Sequence, residues 1–252
     1  MSPAIRTRNQ LILLFAPALL FFGLTNCNKP TPEVTKSSGG GTTATTPAGT
    51  DAKAANQALV RFINATPDIK DLTFGELKAF PAIPARSVSA YQLIPSERHE
   101  FRLLSPGKAD LKPLATNSES PAAGLHYSIL GITNEDGTNS LKVLNDDSPR
   151  PATGKAKVRV VHAASGVEKL DAYSAADKDP FISGIAFNTA TNYKEVSPAT
   201  MELDLRVEGS KKNLMNIKEV RLDPDKFYTI VLFGGHGQPP TAKVIEDQLV
   251  AK

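Results

Sequence analysis

The sequence predicts an all-β protein in which two tandem immunoglobulin-like β-sandwich domains follow a disordered N-terminal tether. The first observation is a duplication, because VRFINA at residues 60–65 returns as VRVVHA at residues 158–163. The second is strand periodicity in both copies, whereas no segment after the N-terminal apolar run has the length and 3.6-residue period of a helix. The third is a content of 19 prolines and no tryptophan, which favours short strands joined by turns.

The duplication extends through both copies. Ala58–Ala65 aligns with Ala156–Ala163 without a gap, and later matches drift by a few residues, as expected for insertions in surface loops. These later matches are Tyr91 with Tyr193, Glu100–Leu104 with Glu202–Arg206, and Leu141–Asp146 with Ala242–Asp247. We therefore expect a first repeat at 57–147, a linker rich in proline and glycine at 148–154, and a second repeat at 155–252.

Two segments show the strand character most clearly. Met201–Val207 alternates apolar and charged residues, which predicts one face toward a core and one toward solvent. Phe227–Phe233 is apolar at successive positions, which predicts a central strand packed between layers.

The first 26 residues have the pattern of a signal peptide. Arg6 and Arg8 precede an apolar run of fourteen residues, Leu11–Leu24, and no acidic residue occurs in this part. As a helix the run spans roughly 21 Å, less than the ~30 Å hydrocarbon core of a bilayer. A short apolar run behind a positive segment predicts a secretory signal over residues 1–26 rather than a membrane span.

The end of this segment, Leu24-Thr25-Asn26-Cys27, suggests a lipid anchor. The tetrapeptide resembles the lipobox of bacterial lipoproteins, which implies cleavage before Cys27 and acylation of this residue, palmitate included. Asn26 departs from the pattern, since Gly, Ala or Ser is usual there, and leaves the efficiency of processing open. The alternative is an ordinary secretory signal with an incidental cysteine. Several acyl chains anchor a protein firmly. Because Cys27 is the sole cysteine, an internal disulfide is excluded, and we expect no disulfide-linked partner.

Residues 27–56 are expected to form the lipidated cysteine and a flexible linker. Residues 28–56 contain no aromatic residue and one branched aliphatic, Val34, too little apolar surface to offset the entropy of ordering. A coil of this length spans roughly 30 Å. Without Arg6 and Arg8 the chain has 27 basic and 26 acidic residues, and it lacks the basic cluster that a nucleic-acid partner requires.

The second repeat carries a family resemblance. VRVVHA, LDAY at Leu170–Tyr173 and GIAFNTATNYKEV at Gly184–Val196 resemble the domain-of-unknown-function family 4397, which occurs in secreted and lipid-anchored bacterial proteins, often in tandem. The resemblance covers about 57–147 and 155–250, and the first copy is divergent, with Asn64 in place of His162. The resemblance implies the predicted fold and an envelope location, and it implies no activity because none is established for the family.

The sequence contains few features of a catalytic, cofactor or metal site. It lacks G-x-S-x-G, H-E-x-x-H, G-x-x-x-x-G-K and C-x-x-C motifs, and its four histidines have no ligand spacing. We therefore expect no catalytic residue, cofactor or metal. His162 is interpreted as a donor to a backbone carbonyl that fixes a turn, because Asn64 can make the same bond. A role in a binding site is the alternative.

Two loops between the last strands of each repeat are the candidate binding loops. Their candidate residues are Asn134, Glu135 and Asp136 in the first repeat and Gly234, Gly235, His236 and Gly237 in the second. Glycine-rich backbone can present N–H groups to an anion, and NEDG has part of a calcium-loop pattern but not its spaced carboxylates or terminal Glu. Hairpin connections with positive φ are the favoured interpretation.

The functional expectation is a non-enzymatic, membrane-anchored lipoprotein that binds an unknown protein or glycan partner. The alternatives are a structural or assembly component that pairs exposed sheet edges and an enzyme with an unrecognised site. The expected location is the bacterial cell envelope, with the outer membrane or cell surface favoured and a periplasm-facing orientation as the alternative. An exposed apolar patch would support binding, and a uniformly polar surface with unprotected sheet edges would support assembly.

Overall fold

The computed structural model describes residues 56–67, 69, 71–74, 83–105, 112–235 and 237–249. Every regular element in these ranges is a β-strand, so the predicted all-β class is confirmed. No helix suited to crossing a membrane occurs among these residues. The predicted signal peptide, Cys27 and the flexible linker lie outside the described residues.

The first repeat forms two sheets. Its strands are β1 (Gln57–Ala65), β2 (Asp71–Phe74), β3 (Ser87–Val88), β4 (Gln92–Pro95), β5 (His99–Leu104), β6 (Ala115–Glu119), β7 (His126–Thr133) and β8 (Asn139–Asn145). One sheet has β1 beside β7 and β7 beside β8, with β3 and β4 both pairing with the other edge of β1. The second sheet has the order β2-β5-β6.

Among the described residues, the second repeat has the same arrangement with one more strand than the first. Its strands are β9 (Ala156–Ala164), β10 (Leu170–Ser174), β11 (Ile182–Ile185), β12 (Thr189–Ala190), β13 (Lys194–Val196), β14 (Ala199–Val207), β15 (Asn213–Leu222), β16 (Phe227–Gly235) and β17 (Gln238–Asp247). One sheet has the order β9-β16-β17, with β12 and β13 on the free edge of β9. The other has the order β11-β10-β14-β15.

Equivalent strands have equivalent neighbours, which supports the duplication. The first strand of each repeat runs parallel to the penultimate one, with Val60 opposite Tyr127 and Val158 opposite Tyr228. All other neighbours in the four sheets are antiparallel. A parallel pair at the centre of a sheet is buried on both faces, and this accounts for the apolar residues at successive positions, Val160–Val161 in β9 and Ile230–Phe233 in β16.

Each repeat has its own sandwich core. In the first, Val60 and Phe62 of β1 belong to the same buried cluster as Phe101 of β5. In the second, Val158 of β9 shares a cluster with Leu203 of β14. The predicted inward face of β14 is confirmed, because Met201, Leu203, Leu205 and Val207 all pack in this cluster.

A third core joins the two repeats. Residues of β1, β7 and β8 form one buried cluster with residues of β9 and β16: Ile63, Ala65, Leu130, Ile132, Leu144, Val161, Ala163, Val231 and Phe233. The sheets that contain β1 and β9 therefore pack face to face, and the protein has four β-layers. This packing confirms the prediction that Phe227–Phe233 lies between layers.

The last hairpin is tighter than the sequence indicated. Gly234 and Gly235, which the sequence predicts to lie in the second candidate loop, belong to β16, and β17 begins at Gln238, directly opposite Gly235. Gly235 has φ of 102°, a conformation that side chains disfavour. This allows the strands to turn within two residues.

Candidate functional site

Two arginines lie inside the interface between the repeats. Arg61 on β1 and Arg159 on β9 occupy equivalent positions, and each is 2% exposed. Because side chains alternate along a strand, Val60 and Phe62 point into the first sandwich core and Arg61 points toward the second repeat. Arg159 does the same in the opposite direction. A buried charge is stable only with partners, so the surrounding residues define the site.

In the first repeat, Asp146, which directly follows β8, accepts hydrogen bonds from two hydroxyl groups. Ser128 Oγ and Tyr91 Oη each donate to its Oδ2 at 2.6 Å. Arg61 Nε donates to Ser128 Oγ at 2.8 Å, and its Cζ lies 4.7 Å from the centroid of the Tyr91 ring. The arginine is thus held by hydrogen bonding and by a cation–π contact.

The second repeat reproduces this arrangement. Thr229 Oγ1 and Tyr193 Oη each donate to Asp247 Oδ2 at 2.6 Å. Arg159 Nε donates to Thr229 Oγ1 at 2.9 Å, and its Cζ lies 4.8 Å from the Tyr193 centroid. Each repeat therefore supplies one arginine, one hydroxyl residue, one tyrosine and one aspartate, and we call these eight residues the interface cluster.

Two ion pairs cross from one repeat to the other, and a third, between Arg61 Nε and Asp146 Oδ2 at 3.6 Å, lies within the first repeat. Arg159 Nη2 donates to Asp146 Oδ1 at 2.5 Å. Arg61 Nη1 lies 2.7 Å from Asp247 Oδ1, but the N–H direction is unsuited to a hydrogen bond, and this buried oxygen has no hydrogen-bond partner. The two crossings are therefore equivalent in position and unequal in geometry.

The electrostatics keep the arginines and tyrosines of the cluster in their ordinary protonation states. Burial lowers the pKa of Arg61, but the charges of Asp247 and Asp146 outweigh it, and the pKa is raised. Burial, and then the nearby carboxylates, raise the pKa of Tyr91 and of Tyr193. The arginines stay charged and the tyrosines stay protonated donors. With both arginines and both aspartates sealed from solvent, the cluster is suited to holding the repeats together.

Near the end of the first strand, the second repeat has His162 where the first repeat has Asn64, as the sequence indicated. His162 Nδ1 accepts from Ala164 N at 3.3 Å, so Nε2 carries the proton and donates to Glu168 O at 3.1 Å. In the first repeat Asn64 Nδ2 donates to Ile69 O. Both side chains fix the turn after the first strand, which is the structural role interpreted from the sequence. Burial lowers the pKa of His162.

The first candidate loop lies beside the other repeat. Glu135 Oε1 accepts from Gly166 N of the second repeat at 3.1 Å. Asp136 Oδ1 accepts from the backbone N and the hydroxyl of Thr138 at 2.9 and 2.6 Å, and these bonds lower its pKa. Asn134 closes the hairpin through its backbone N, which donates to Thr138 O at 2.7 Å.

The second candidate loop lies beside the first repeat. Gly234 and Gly235 line a narrow crevice with Thr66 and Arg86, and Arg86 Nη1 donates to Pro239 O at 3.3 Å. Gly237 has open space around it. His236 and Cys27 lie outside the described residues. No group of three or more metal-ligating side chains occurs in the part of the chain that the structure describes.

A cavity of about 300 Å³ opens at one end of the second sandwich. Its floor is Val158, Leu203 and Leu222, which are at most 3% exposed. Phe181 and Met201 are also in the lining. We call this space the end cavity. It has the size and apolar lining of a small ligand site, and the sequence analysis did not identify it.

Sequence reasoning also missed the interface cluster. The signal was present, because the Tyr91–Tyr193 match and the Asp146–Asp247 match were both visible in the alignment. A polar residue repeated at the same place in two divergent copies indicates a shared structural role. What the alignment could not indicate was that the arginines pair with the opposite repeat.

Comparison with known proteins gives a family and two distant structures. The family model described as a domain of unknown function, DUF4397, matches residues 58–173 and 158–252. A search of curated proteins finds no match. The structure of CBMbc, a family CBM26 module from Eubacterium rectale Amy13K in complex with maltoheptaose, shares 13% identity and a TM-score of 0.24, covering 76% of this chain and 97% of its own. A candidate cell adhesion protein from Parabacteroides distasonis shares 10% identity and a TM-score of 0.20, covering 76% and 99%. Both likenesses are too distant to bear on function.

Proposed function

The chain belongs to the DUF4397 family, and we propose that it is a lipid-anchored, non-enzymatic binding protein of the bacterial cell envelope. The observation that carries the proposal is the end cavity, a half-enclosed apolar space that reaches the core of the second sandwich. In this proposal the interface cluster makes the two repeats one rigid body, and the second repeat presents the binding site.

The chemistry of the described residues supports binding over catalysis. Displaced pKa values mark functional candidates when the groups face a cleft. Here the largest displacements belong to Tyr91, Tyr193 and Arg159, and these side chains bind Asp146 and Asp247 within the interface cluster. Their hydrogen-bonding groups are engaged by these two aspartates, and the three side chains are not part of the lining of the end cavity.

The polar surface of the described residues meets one requirement for assembly through sheet edges, but the sheet edge at β15 is protected against pairing. Leu93 and Leu114 are the exposed large apolar side chains among the described residues. The edge strand β15 is irregular: its pairing with β14 shifts register, and Glu219 has φ of 55°. Such a bulge with adjacent charges discourages edge pairing, so this strand is not a ready template for a second chain.

The anchor is tested separately from the binding site. Cells that express the chain are labelled with radioactive palmitate, and wild type is compared with Cys27→Ser. We expect label on the wild type and none on the variant, with the variant released from membranes. Equal labelling would contradict the anchor. Protease digestion of intact cells, with detergent-opened cells as control, then distinguishes surface from periplasmic display.

The binding site is tested by photo-cross-linking in the same cells. A photoreactive amino acid replaces Ala199, an exposed lining residue of the end cavity, and, as the control, Glu202 on the outer face of the same strand. We expect a discrete adduct of fixed mass from position 199 and none from position 202. Adducts at both positions, or at neither, would contradict binding at this end of the sandwich.

A further inference from the structure

The end cavity is apolar where it is deep and polar where it is shallow. Its floor residues belong to the core of the second repeat, and Phe181, Val196 and Met201 pack against the same cluster. The polar lining residues are Ser174, Asp177 and Ser197, of which Asp177 and Ser197 are exposed. A ligand therefore meets hydroxyl and carboxylate groups at the mouth and only apolar groups at the floor.

One acidic and one basic residue are associated with the polar lining. Asp177 is a lining residue, and Lys155 Nζ donates to Ser197 Oγ at 3.2 Å. One cation and one anion at the rim match a head group that is uncharged or that carries both charges. A strongly anionic or cationic head would meet one like charge there.

The two repeats differ in sequence at this cavity. The alignment of the copies pairs Leu203 with Phe101 and Met201 with His99. Both residues of the first repeat are buried, their ring centroids are 6.1 Å apart, and His99 Nε2 lies 2.8 Å from Pro95 O. In this alignment the cavity lining of the second repeat has one branched and one linear aliphatic side chain at positions where the first repeat has two rings.

From these observations we infer that the end cavity binds a single hydrocarbon chain of an uncharged or zwitterionic amphiphile. The chain enters between the two sheets of the second sandwich, and the head group stays at the rim with Ser174, Asp177 and Ser197. The inference rests on the proposed function and adds its ligand class. Affinity comes from burying methylene groups, because the floor offers no polar partner.

A chain-length series tests the ligand class. The processed chain is prepared without its own lipid as Cys27→Ser, and straight-chain primary alcohols of increasing length are titrated by calorimetry below their solubility limits. Each added methylene is expected to raise the affinity about fourfold until the cavity is full, and then to add little. An affinity that does not depend on length overturns the inference.

Two variants locate the binding in the cavity. Leu203→Phe fills it with the residue of the first repeat, and Ala199→Trp blocks the mouth from an exposed position that leaves the core intact. Each is expected to weaken binding at least tenfold, while Glu202→Gln on the outer face leaves it unchanged. Thermal unfolding verifies that the variants are folded. Binding that survives in a folded Leu203→Phe or Ala199→Trp protein overturns the inference.

The two proposals fail differently. An adduct at position 199 together with no response to chain length refutes the hydrocarbon ligand and retains the binding site. If alcohols bind in the calorimeter but no adduct forms in cells, the result supports the inferred ligand chemistry of the cavity. It then contradicts the proposal that the cavity is the binding site used in the envelope. Alkyl sulfates and alkyl ammonium ions of equal length complete the series, and a preference for either over the alcohol overturns the neutral head group.

Discussion

Arg159 in the second repeat donates a 2.5 Å hydrogen bond to Asp146 in the first, and neither side chain is more than 2% exposed. The same carboxylate accepts from Ser128 and Tyr91 of its own repeat. One side chain thus connects hydrogen bonds within a repeat to an ion pair between repeats. This makes Asp146 the residue whose loss is expected to affect both halves of the protein.

Asp146→Ala is expected to lower the free energy of unfolding by about 3–5 kcal/mol, because it leaves Arg159 buried without the carboxylate that it binds. Urea denaturation followed by circular dichroism measures the change. Glu246→Gln is the matched control, since the pair of Glu246 with Lys226 is exposed and such pairs contribute about 0–1 kcal/mol. Equal midpoints for Asp146→Ala and wild type would refute a stabilising role for the cluster.

The repeats are expected to unfold together, because one buried cluster contains residues of both. Hydrogen exchange measures this directly. In Asp146→Ala, whose substitution lies in the first repeat, amide exchange is expected to accelerate in β16 of the second repeat as well as in β7. Acceleration confined to the first repeat, or two separate unfolding transitions in the wild type, would show that the repeats are independent.

Gly235→Ala is expected to destabilise the protein more than Gly137→Ala does. Both glycines have positive φ, which costs an alanine about 1–2 kcal/mol. A Cβ at Gly235 would in addition lie 1.9 Å from Ser165 Oγ and 2.8 Å from Ser165 O, whereas nothing lies within 4 Å at Gly137. Thermal midpoints compare the two. Ser165→Gly should restore part of the loss only, because the backbone oxygen remains. Equal decreases in the thermal midpoint of the two variants would mean that Ser165 can move away from the added Cβ without a cost in stability.

His162 is expected to make stability depend on pH. Burial lowers its folded pKa below its ordinary value, so the unfolded chain takes up the proton first as the pH falls. Stability from this residue is therefore complete above about pH 6.5, the unfolded value, and decreases below it until the folded pKa is reached. His162→Asn, the residue of the first repeat, should remove this decrease and keep the turn. Denaturation of both proteins at several pH values between about 5 and 8, a range that brackets the unfolded-state pKa, measures the difference. Parallel curves of stability against pH for the two proteins would contradict the assignment to His162.

Much of the fold was predictable because it depends on local patterns. The duplication, the alternating strand at Met201–Val207 and the apolar strand at Phe227–Phe233 all follow from periods of two residues or from continuous apolar runs. The turn role of His162 was also predictable, since Asn64 at the same position shares only its hydrogen-bonding capacity. These inferences needed no knowledge of which sheet faces which.

The packing of the repeats was not predictable in this way. An arginine in a strand normally indicates a solvated face, so Arg61 and Arg159 gave no reason to bury the outer face of β1 or β9. The partner of Arg61 also lies far away along the chain, at Asp247. The end cavity was missed for a related reason. Leu203 in its lining aligns with Phe101 of the first repeat, and a hydrophobic pattern treats these two residues as equal although their volumes differ.

The matching halves of the interface cluster suggest a history for the protein. A surface that contributes the same residues on both sides is complementary to a copy of itself, which is the requirement for a symmetric homodimer. We expect that an ancestral single repeat associated in this way, and that joining two copies through the segment 148–154 replaced a concentration-dependent association with an intramolecular one. The effective concentration across such a short connection is on the order of millimolar. Once the partner is always present, the cores of the two copies can diverge, as the aligned residues Phe101 and Leu203 illustrate.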